Sequence, residues 1–324
     1  MLVGPSTRLC RQSVRDLGKI LMNVVVTGGC GLLGSYVVAE IARGHNVVVV
    51  DTNVKLTSAK MLAVDIRDPE RLANVFSGQD AVVHLAGIDS ATDAAPAEMM
   101  SVNSFGTLCV FEAAASCGIT NIVYCSSASV YGLDHSNPGH RLDYLPVDEH
   151  HPLQSTAPYG LSKFFGEVAG ERFAARYGMS VTALRVSAVV FPSTMDELRT
   201  TLNQSEFVSK TAGIDRQQAH LASYNVPLYR SYVEASDAAR AHRLALERPS
   251  PGFHVYNVCA NDTLIRTPTL EMTDSIYGKP VEVRDVTRYR KNPCSGIFSN
   301  LSAKADLGWT PQNSFQAMAK TDRK

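Results

Sequence analysis

Between Asn23 and Asp51 the chain reads NVVVTGGCGLLGSYVVAEIARGHNVVVVD, and this stretch constrains the fold more than any other. Val24-Val25-Val26 is a short β-branched run of the length of a buried strand. Gly28, Gly31 and Gly34 follow at three-residue spacing, then SYVVAEIA with apolar residues at helical spacing, then a second β-branched run, Val47 to Val50, ending in Asp51. The order strand, glycine turn, helix, strand, acid predicts one βαβ unit with a dinucleotide site at its first turn.

Each residue type has a physical task there. Gly28 permits a tight turn, Gly31 lets backbone approach a pyrophosphate, and Gly34 lets the helix pack close on the strand. The first helical turn, with Leu32 and Leu33, presents N–H groups and partial positive charge to phosphates. Asp51 stands where a carboxylate accepts from the adenosine ribose hydroxyls, about 20 residues downstream. A 2′-phosphate would meet like charge there, and no Arg or Lys directly follows, so NAD is expected over NADP.

The remaining chain fits one large α/β domain with an appended lobe, given 324 residues. Formal net charge is zero with 19% charged residues, which argues against nucleic acid or an acidic membrane surface as partner. The seven cysteines, at 10, 30, 109, 117, 125, 259 and 294, are odd in number and show no CxxC pairing. They predict reduced thiols and a cytoplasmic protein rather than a disulfide or zinc framework. No apolar run approaches membrane-spanning length. Residues 1–21, with Arg8, Arg11, Arg15 and Lys19, read as an N-terminal extension. The expected division is a dinucleotide-binding Rossmann domain over 22–192, completed by about 232–260, and a substrate lobe from 193–231 and 261–324.

Further strands are predicted at Met61–Asp65, Ala81–Gly87, Ile122–Cys125, Val181–Val186 and 253–258. Asp65 and Ile66 are placed to meet the adenine ring. Leu85, Ala86 and Gly87 end a strand in small residues, so that a cofactor can lie flat across it. His84 reads as a packed strand residue. A helix is expected from Glu98 to Ser116, in which the Asn103 amide either ties neighbouring backbone or faces water. Asp148, Glu149, His150 and His151 have ligand chemistry, but adjacent loop residues point different ways. They read as solvated or substrate-rim residues, with no metal site.

The chemistry is expected from Ser127, Tyr159 and Lys163. Tyr159 and Lys163 are four apart at the start of an amphipathic helix and share one face. A phenol of pKa about 10 is a poor base at neutral pH. A unit positive charge at about 4 Å, at an effective dielectric of ~20, favours phenolate by about 4 kcal/mol, roughly three pK units. Tyr159 can then take the proton of a substrate hydroxyl while hydride leaves the same carbon. Ser127 would hydrogen-bond the reacting oxygen, and Lys163 would also hold a nicotinamide-ribose hydroxyl.

With TGGCGLLG, the acid after the second strand, SSASVYG and YGLSK in this order, the chain resembles the extended short-chain dehydrogenases/reductases of the NAD-dependent epimerase/dehydratase family over roughly residues 22 to 313. The resemblance implies a doubly wound parallel sheet with a smaller C-terminal lobe, a sugar-type substrate and a homodimer. It implies NAD contacts at Gly28, Gly31, Gly34, Asp51, Asp65, Ile66 and Lys163, and catalysis by Ser127, Tyr159 and Lys163. Substrate contacts are expected at Ser127, Ser129, Arg230 and Arg290; Arg230 stands in an RSYV segment similar to an R-D-Y-V element whose Arg commonly pairs with a substrate phosphate. The chain departs from the family at Ala188, where nucleotide-sugar members usually carry an Asn. Family dehydratases place an acid pair just after the catalytic Ser or Thr; Ala128 and Ser129 stand there instead, which disfavours dehydration. Two outcomes follow: epimerisation of a nucleotide sugar, favoured by Arg230, or net oxidation of a free sugar or uronic acid, favoured by Ala188. A dinucleotide-binding sensor without turnover is disfavoured by the intact Ser127, Tyr159 and Lys163.

Overall fold

The computed structural model describes residues 21–54, 60–89, 92, 94–133, 142–192, 231–264 and 267–317. The predicted first unit forms as β1 (Asn23–Thr27), α1 (Leu32–Ile41) and β2 (Asn46–Asp51). It is extended by β3 (Lys60–Ala63), β4 (Ala81–His84), β5 (Asn121–Ser127), β7 (Ser180–Val186) and β10 (Gly252–Val258). These seven strands form one parallel sheet in the order β3-β2-β1-β4-β5-β7-β10. Strands two and three wind outward on one side of β1, and the chain then crosses to β4 on the other. That reversal is the switch point at which doubly wound sheets bind ligands, beyond the carboxyl ends of the strands. Thr27 and His84 stand opposite each other at that point.

Alternation along β1 splits the core into two layers. Val24 and Val26 face α1 and the helix Ala235–Glu247, while Val25 faces α2 (Pro69–Phe76) and α4 (Gly106–Ser116). All three valines are fully buried, each favouring the fold by about 1.5–3 kcal/mol over exposure. Asp68 caps α2 by accepting from Arg71 N, with Pro69 in the first turn. Trp309 is fully buried in the first layer and donates from Nε1 to Asp237 O at 2.9 Å.

The helix expected from Glu98 to Ser116 runs as α3 (Pro96–Met100), a π turn at Ser101–Phe105, and α4. β3 ends at Ala63, so Asp65 lies beyond the strand rather than at its tip. The connection after β5 carries β6 (Tyr144–Leu145), paired with β11 (Glu282–Val283). It also holds the cluster read as solvated or substrate-rim; His150 is exposed as read, but for Asp148, Glu149 and His151 the structure corrects the reading. Buried His151 accepts from Asp143 N, Asp148 accepts from Tyr144 OH at 2.7 Å, and Glu149 accepts from Asn257 N at 2.8 Å. Glu149, which also accepts from Ser302 Oγ at 2.9 Å, thereby joins this connection to β10 and to the helix Leu301–Leu307. β8 (Ala188–Val190) pairs in parallel with β9 (Tyr232–Glu234) as a separate two-stranded sheet. The six described cysteines are free thiols, and among the described residues no helix is long and apolar enough to cross a membrane.

Candidate active site

The glycine turn has the shape that its sequence predicts. Gly28 adopts φ +73, and a Cβ there would lie 2.5 Å from Ala86 N. The ends of β1 and β4 therefore approach too closely for any side chain. Gly31 N donates to Gly28 O at 3.1 Å and Ser35 N to Gly31 O at 3.0 Å, closing the turn into α1. The amides of Leu32, Leu33 and Gly34 come before Ser35 N, the first to donate to a carbonyl one helical turn back, so they are available to an anion. Asp51 is held against this turn: Oδ2 accepts from Cys30 N and Oδ1 from Asn53 N, both at 3.0 Å. Its carboxylate thus sits beside the turn at the end of β2, where an adenosine ribose would lie. Main chain without side chains, first-turn amides and an acid at the ribose position fit NAD.

Two further candidates are placed differently from one another. Asp65 is engaged by Arg67 through Nε at 3.1 Å and Nη2 at 2.7 Å, which lowers its pKa. Arg67 in turn reaches Glu98 at 3.0 Å. Ile66 is buried against α4, where Gly106 leaves space for it; its side chain is used in packing, which leaves main chain to face a ring. Leu85, Ala86 and Gly87 follow β4 without regular structure, and a Cβ on Gly87 would lie 3.0 Å from Asn103 Oδ1 and 3.5 Å from Lys163 Nζ.

Asn103 belongs to the π turn, and its amide ties backbone rather than facing water. Oδ1 accepts from Ile88 N at 2.6 Å, and Nδ2 donates to Ile88 O at 2.9 Å and to Ser162 Oγ at 3.1 Å. A π turn displaces a side chain from its regular position and is common at functional sites. Beneath it, buried His84 is packed in the sheet as expected. Thr107 Oγ1 donates to Asn103 O at 2.5 Å and so accepts from His84 Nε2 at 2.9 Å. His84 Nδ1 then accepts from Thr27 Oγ1 at 2.7 Å. Burial, with Lys163 nearby, pushes the imidazole down to about 3, so it stays neutral and serves as a structural link from β1 to the π turn.

The catalytic candidates converge from two elements. Ser127 ends β5, and its Oγ donates to Ser129 Oγ and accepts from Ser129 N, each at 3.1 Å. α5 (Pro158–Tyr177) carries Tyr159 and buried Lys163. Lys163 Nζ donates to Cys125 O at 3.0 Å and stands 5.8 Å from the Tyr159 ring centroid. Burial lowers the Lys163 pKa, while Cys125 and Asp89 act in the opposite sense. Helix and strand meet closely because α5 presents Gly166 to Tyr124; a Cβ at Gly166 would enter that ring. Ser129 is buried beside Ser127. Arg290 is exposed on the last turn of the helix Val286–Lys291. Arg288 turns inward, donating to Phe298 O at 2.8 Å. Arg230 lies outside the described residues.

One set of residues escaped the sequence reading. Glu167 and Arg185 form a buried bidentate pair, Nε to Oε1 at 2.9 Å and Nη2 to Oε2 at 2.8 Å. The signal was present: an arginine in the apolar strand VTALRV, and an acid one helical turn after Lys163.

A model of the NAD dependent epimerase/dehydratase family matches residues 24–259. The chain belongs to this family. It is accordingly an NAD-dependent epimerase/dehydrogenase of the extended short-chain type. A UDP-glucose 4-epimerase of Corynebacterium glutamicum is 27% identical over 309 residues, 90% of this chain and 92% of that protein. An L-arabinose 1-dehydrogenase (NAD(P)(+)) of Haloferax volcanii is 31% identical over 195 residues, 59% of this chain and 75% of that protein. The crystal structure of a UDP-glucose 4-epimerase from Thermotoga maritima with UDP-glucose superposes with TM-score 0.66 at 25% identity, covering 93% of this chain and 99% of that one.

Proposed function

We propose that this enzyme is a nucleotide-sugar epimerase that oxidises and then re-reduces one secondary alcohol carbon. The observation that carries the reading is the placing of Tyr159 and Lys163 on α5 beside the turn that holds Ser127, with no acid directly after Ser127. Ser127, Tyr159 and Lys163 converge, while Ala128 and Ser129 offer no acid or base to a neighbouring carbon. This arrangement suits chemistry at one C–OH centre and gives no support to dehydration. Relatives matched along nine-tenths of this chain that are named UDP-glucose 4-epimerases support the substrate class.

In the proposed mechanism, NAD when bound supplies a hydride acceptor and donor. Tyr159 Oη takes the proton of the substrate hydroxyl and later gives it back. Ser127 Oγ, positioned by Ser129, holds the same oxygen. Lys163, fixed by the Cys125 carbonyl, brings positive charge to Tyr159 and reaches toward the ribose side of the cleft near Gly87. Gly28, Gly31, Leu32, Leu33, Gly34, Asp51, Asp65, Ile66, Leu85, Ala86, Gly87 and Asn103 form the proposed cofactor cradle. Arg230 and Arg290 are the proposed diphosphate contacts. Competition tests this reading: UDP should inhibit turnover competitively at sub-millimolar concentration, and no effect at millimolar concentration would remove the nucleotide-sugar assignment.

A second reading, net oxidation of a free sugar or uronic acid, is favoured by Ala188, a half-buried methyl at the start of β8 that cannot donate to a phosphate, and by the L-arabinose dehydrogenase relative. We also propose a cytoplasmic homodimer. Exposed Phe105 in the π turn and Leu108 on α4, with Phe165 and Val168 on neighbouring α5, form the apolar face proposed to meet a second copy. The division into a Rossmann domain (22–192 with 232–260) and a lobe (193–231 and 261–324) is part of the same proposal.

A further inference from the structure

Ser127 lies in a six-residue segment, Ser126 to Tyr131, that leaves β5 and closes into a 3-10 turn. Both ends of that segment are held by the same buried ion pair. At the front, Ser126 Oγ donates to Glu167 Oε1 at 2.6 Å. At the back, Arg185 Nη1 donates to Tyr131 Oη at 2.9 Å, with its Cζ 5.0 Å from the centre of that ring. Arg185 Nη1 also donates to Glu149 O at 3.1 Å, and Tyr131 Oη donates to Asn257 Oδ1 at 2.8 Å. Glu167 sits one helical turn beyond Lys163 on the same face of α5. Consecutive β5 residues are thus engaged by consecutive turns of that helix: Cys125 O by Lys163, and Ser126 Oγ by Glu167.

We propose that Glu167 and Arg185 are positioning residues that clamp the Ser127 turn against the Tyr159–Lys163 face. Energetics favour this role over simple stabilisation. Both side chains are almost fully buried, at 4% and 5% exposure, and removing two charges from water offsets most of their attraction. Apolar residues of similar volume fill such a site about as stably, but they give no direction to Ser126 or Tyr131. Ser127 and Tyr159 must meet one substrate oxygen from two separate elements, and misplacement of about 1 Å costs on the order of 100-fold in rate. The pair spans α5, β7 and both ends of the turn, so it fixes that relation. The inference rests on the role proposed for Ser127.

The test replaces the pair together, Glu167→Leu with Arg185→Met, in the full-length protein, so that no unpaired charge is left to unfold it. Amide exchange measured without substrate should speed up about ten-fold or more across residues 126–131 and stay unchanged in β1 and β2. NAD affinity should remain within about three-fold, since no cradle residue is touched. Single-turnover rate should fall about 10- to 100-fold in the wild-type background and less than about three-fold in the Ser127→Ala background, because the clamp acts through that hydroxyl. Tyr131→Phe, which removes one arm and keeps the ion pair, should show part of the same loss. Unchanged exchange across 126–131, or an equal rate loss in both backgrounds, would overturn the proposal. The exchange readout needs no substrate, so it stands apart from whether the enzyme takes nucleotide sugars.

Discussion

Gly34→Ala asks whether the glycine turn is as tightly closed as the structure shows. A Cβ at this position would lie 2.9 Å from Gly29 Cα and 3.0 Å from the Gly28 carbonyl carbon, and closer still to the Gly28 oxygen. Carbon atoms in contact sit at about 3.5–4.0 Å. Each of these neighbours is backbone and none can rotate aside, so α1 must withdraw from the end of β1 by about 1 Å. Overpacking of this kind costs about 1–3 kcal/mol of stability. The displaced group is the first turn of α1, whose amides are proposed to hold the pyrophosphate, so cofactor binding should suffer as well. We expect NAD affinity to fall at least ten-fold, about 1.4 kcal/mol, by titration calorimetry, together with a lower melting temperature. Gly44→Ala is the control: nothing lies within 4 Å of a Cβ there, and the change should stay within about 0.5 kcal/mol. Wild-type NAD affinity and melting in Gly34→Ala would refute the close packing on which the cradle depends.

Asp51, held by the Cys30 and Asn53 amides, should make NAD bind at least ten-fold more tightly than NADP, about 1.4 kcal/mol; equal affinities would sink that selectivity. Tyr159→Phe should abolish most turnover while NAD binding stays near wild type, and Lys163→Ala should damage both, with near-normal rate in Tyr159→Phe contradicting the proton-transfer role. His242 is fully buried, which pushes its imidazole down to about 4. The unfolded chain therefore takes up this proton near pH 6.5 and the folded one only near 4, so stability falls as pH drops between those values. At pH 5 the loss is about 2 kcal/mol, and His242→Leu should shrink the decline in urea-unfolding free energy from pH 7.5 to 5 by that amount; an unchanged decline would contradict a neutral buried imidazole.

Local chemistry was legible wherever a single residue type is forced by backbone. Gly28, Gly34 and Asp51 announce a turn, a close approach and an acid before any packing is known; β1 and β2 follow within a residue of their predicted limits, and α1 begins three residues before the apolar run that predicted it. Tyr159 and Lys163 were readable because helix spacing alone puts them on one face. What could not be read depends on residues far apart in sequence. Asp148, Glu149 and His151 look like a polar loop, yet the Glu149 partners are Asn257 N and Ser302 Oγ, more than a hundred residues away. Arg185 and Glu167 escaped for the same reason, as an ion pair between a strand and a helix leaves no periodic trace. The π turn at Ser101–Phe105 was hidden too, because its sequence fits a regular helix. It is recognisable only once the Asn103 side chain is seen holding both polar groups of Ile88.

The measurement that bears most directly on the proposed reaction follows absorbance at 340 nm and product identity together, with NAD and a panel of UDP-sugars, free aldoses and free uronates. One oxidation followed by one re-reduction regenerates NAD in every cycle. A UDP-sugar should therefore yield its epimer with no net NADH, and Tyr159→Phe should stop that conversion. Stoichiometric NADH with an oxidised free sugar, and no epimer from any UDP-sugar, would contradict the epimerase assignment and leave net dehydrogenation as the reaction.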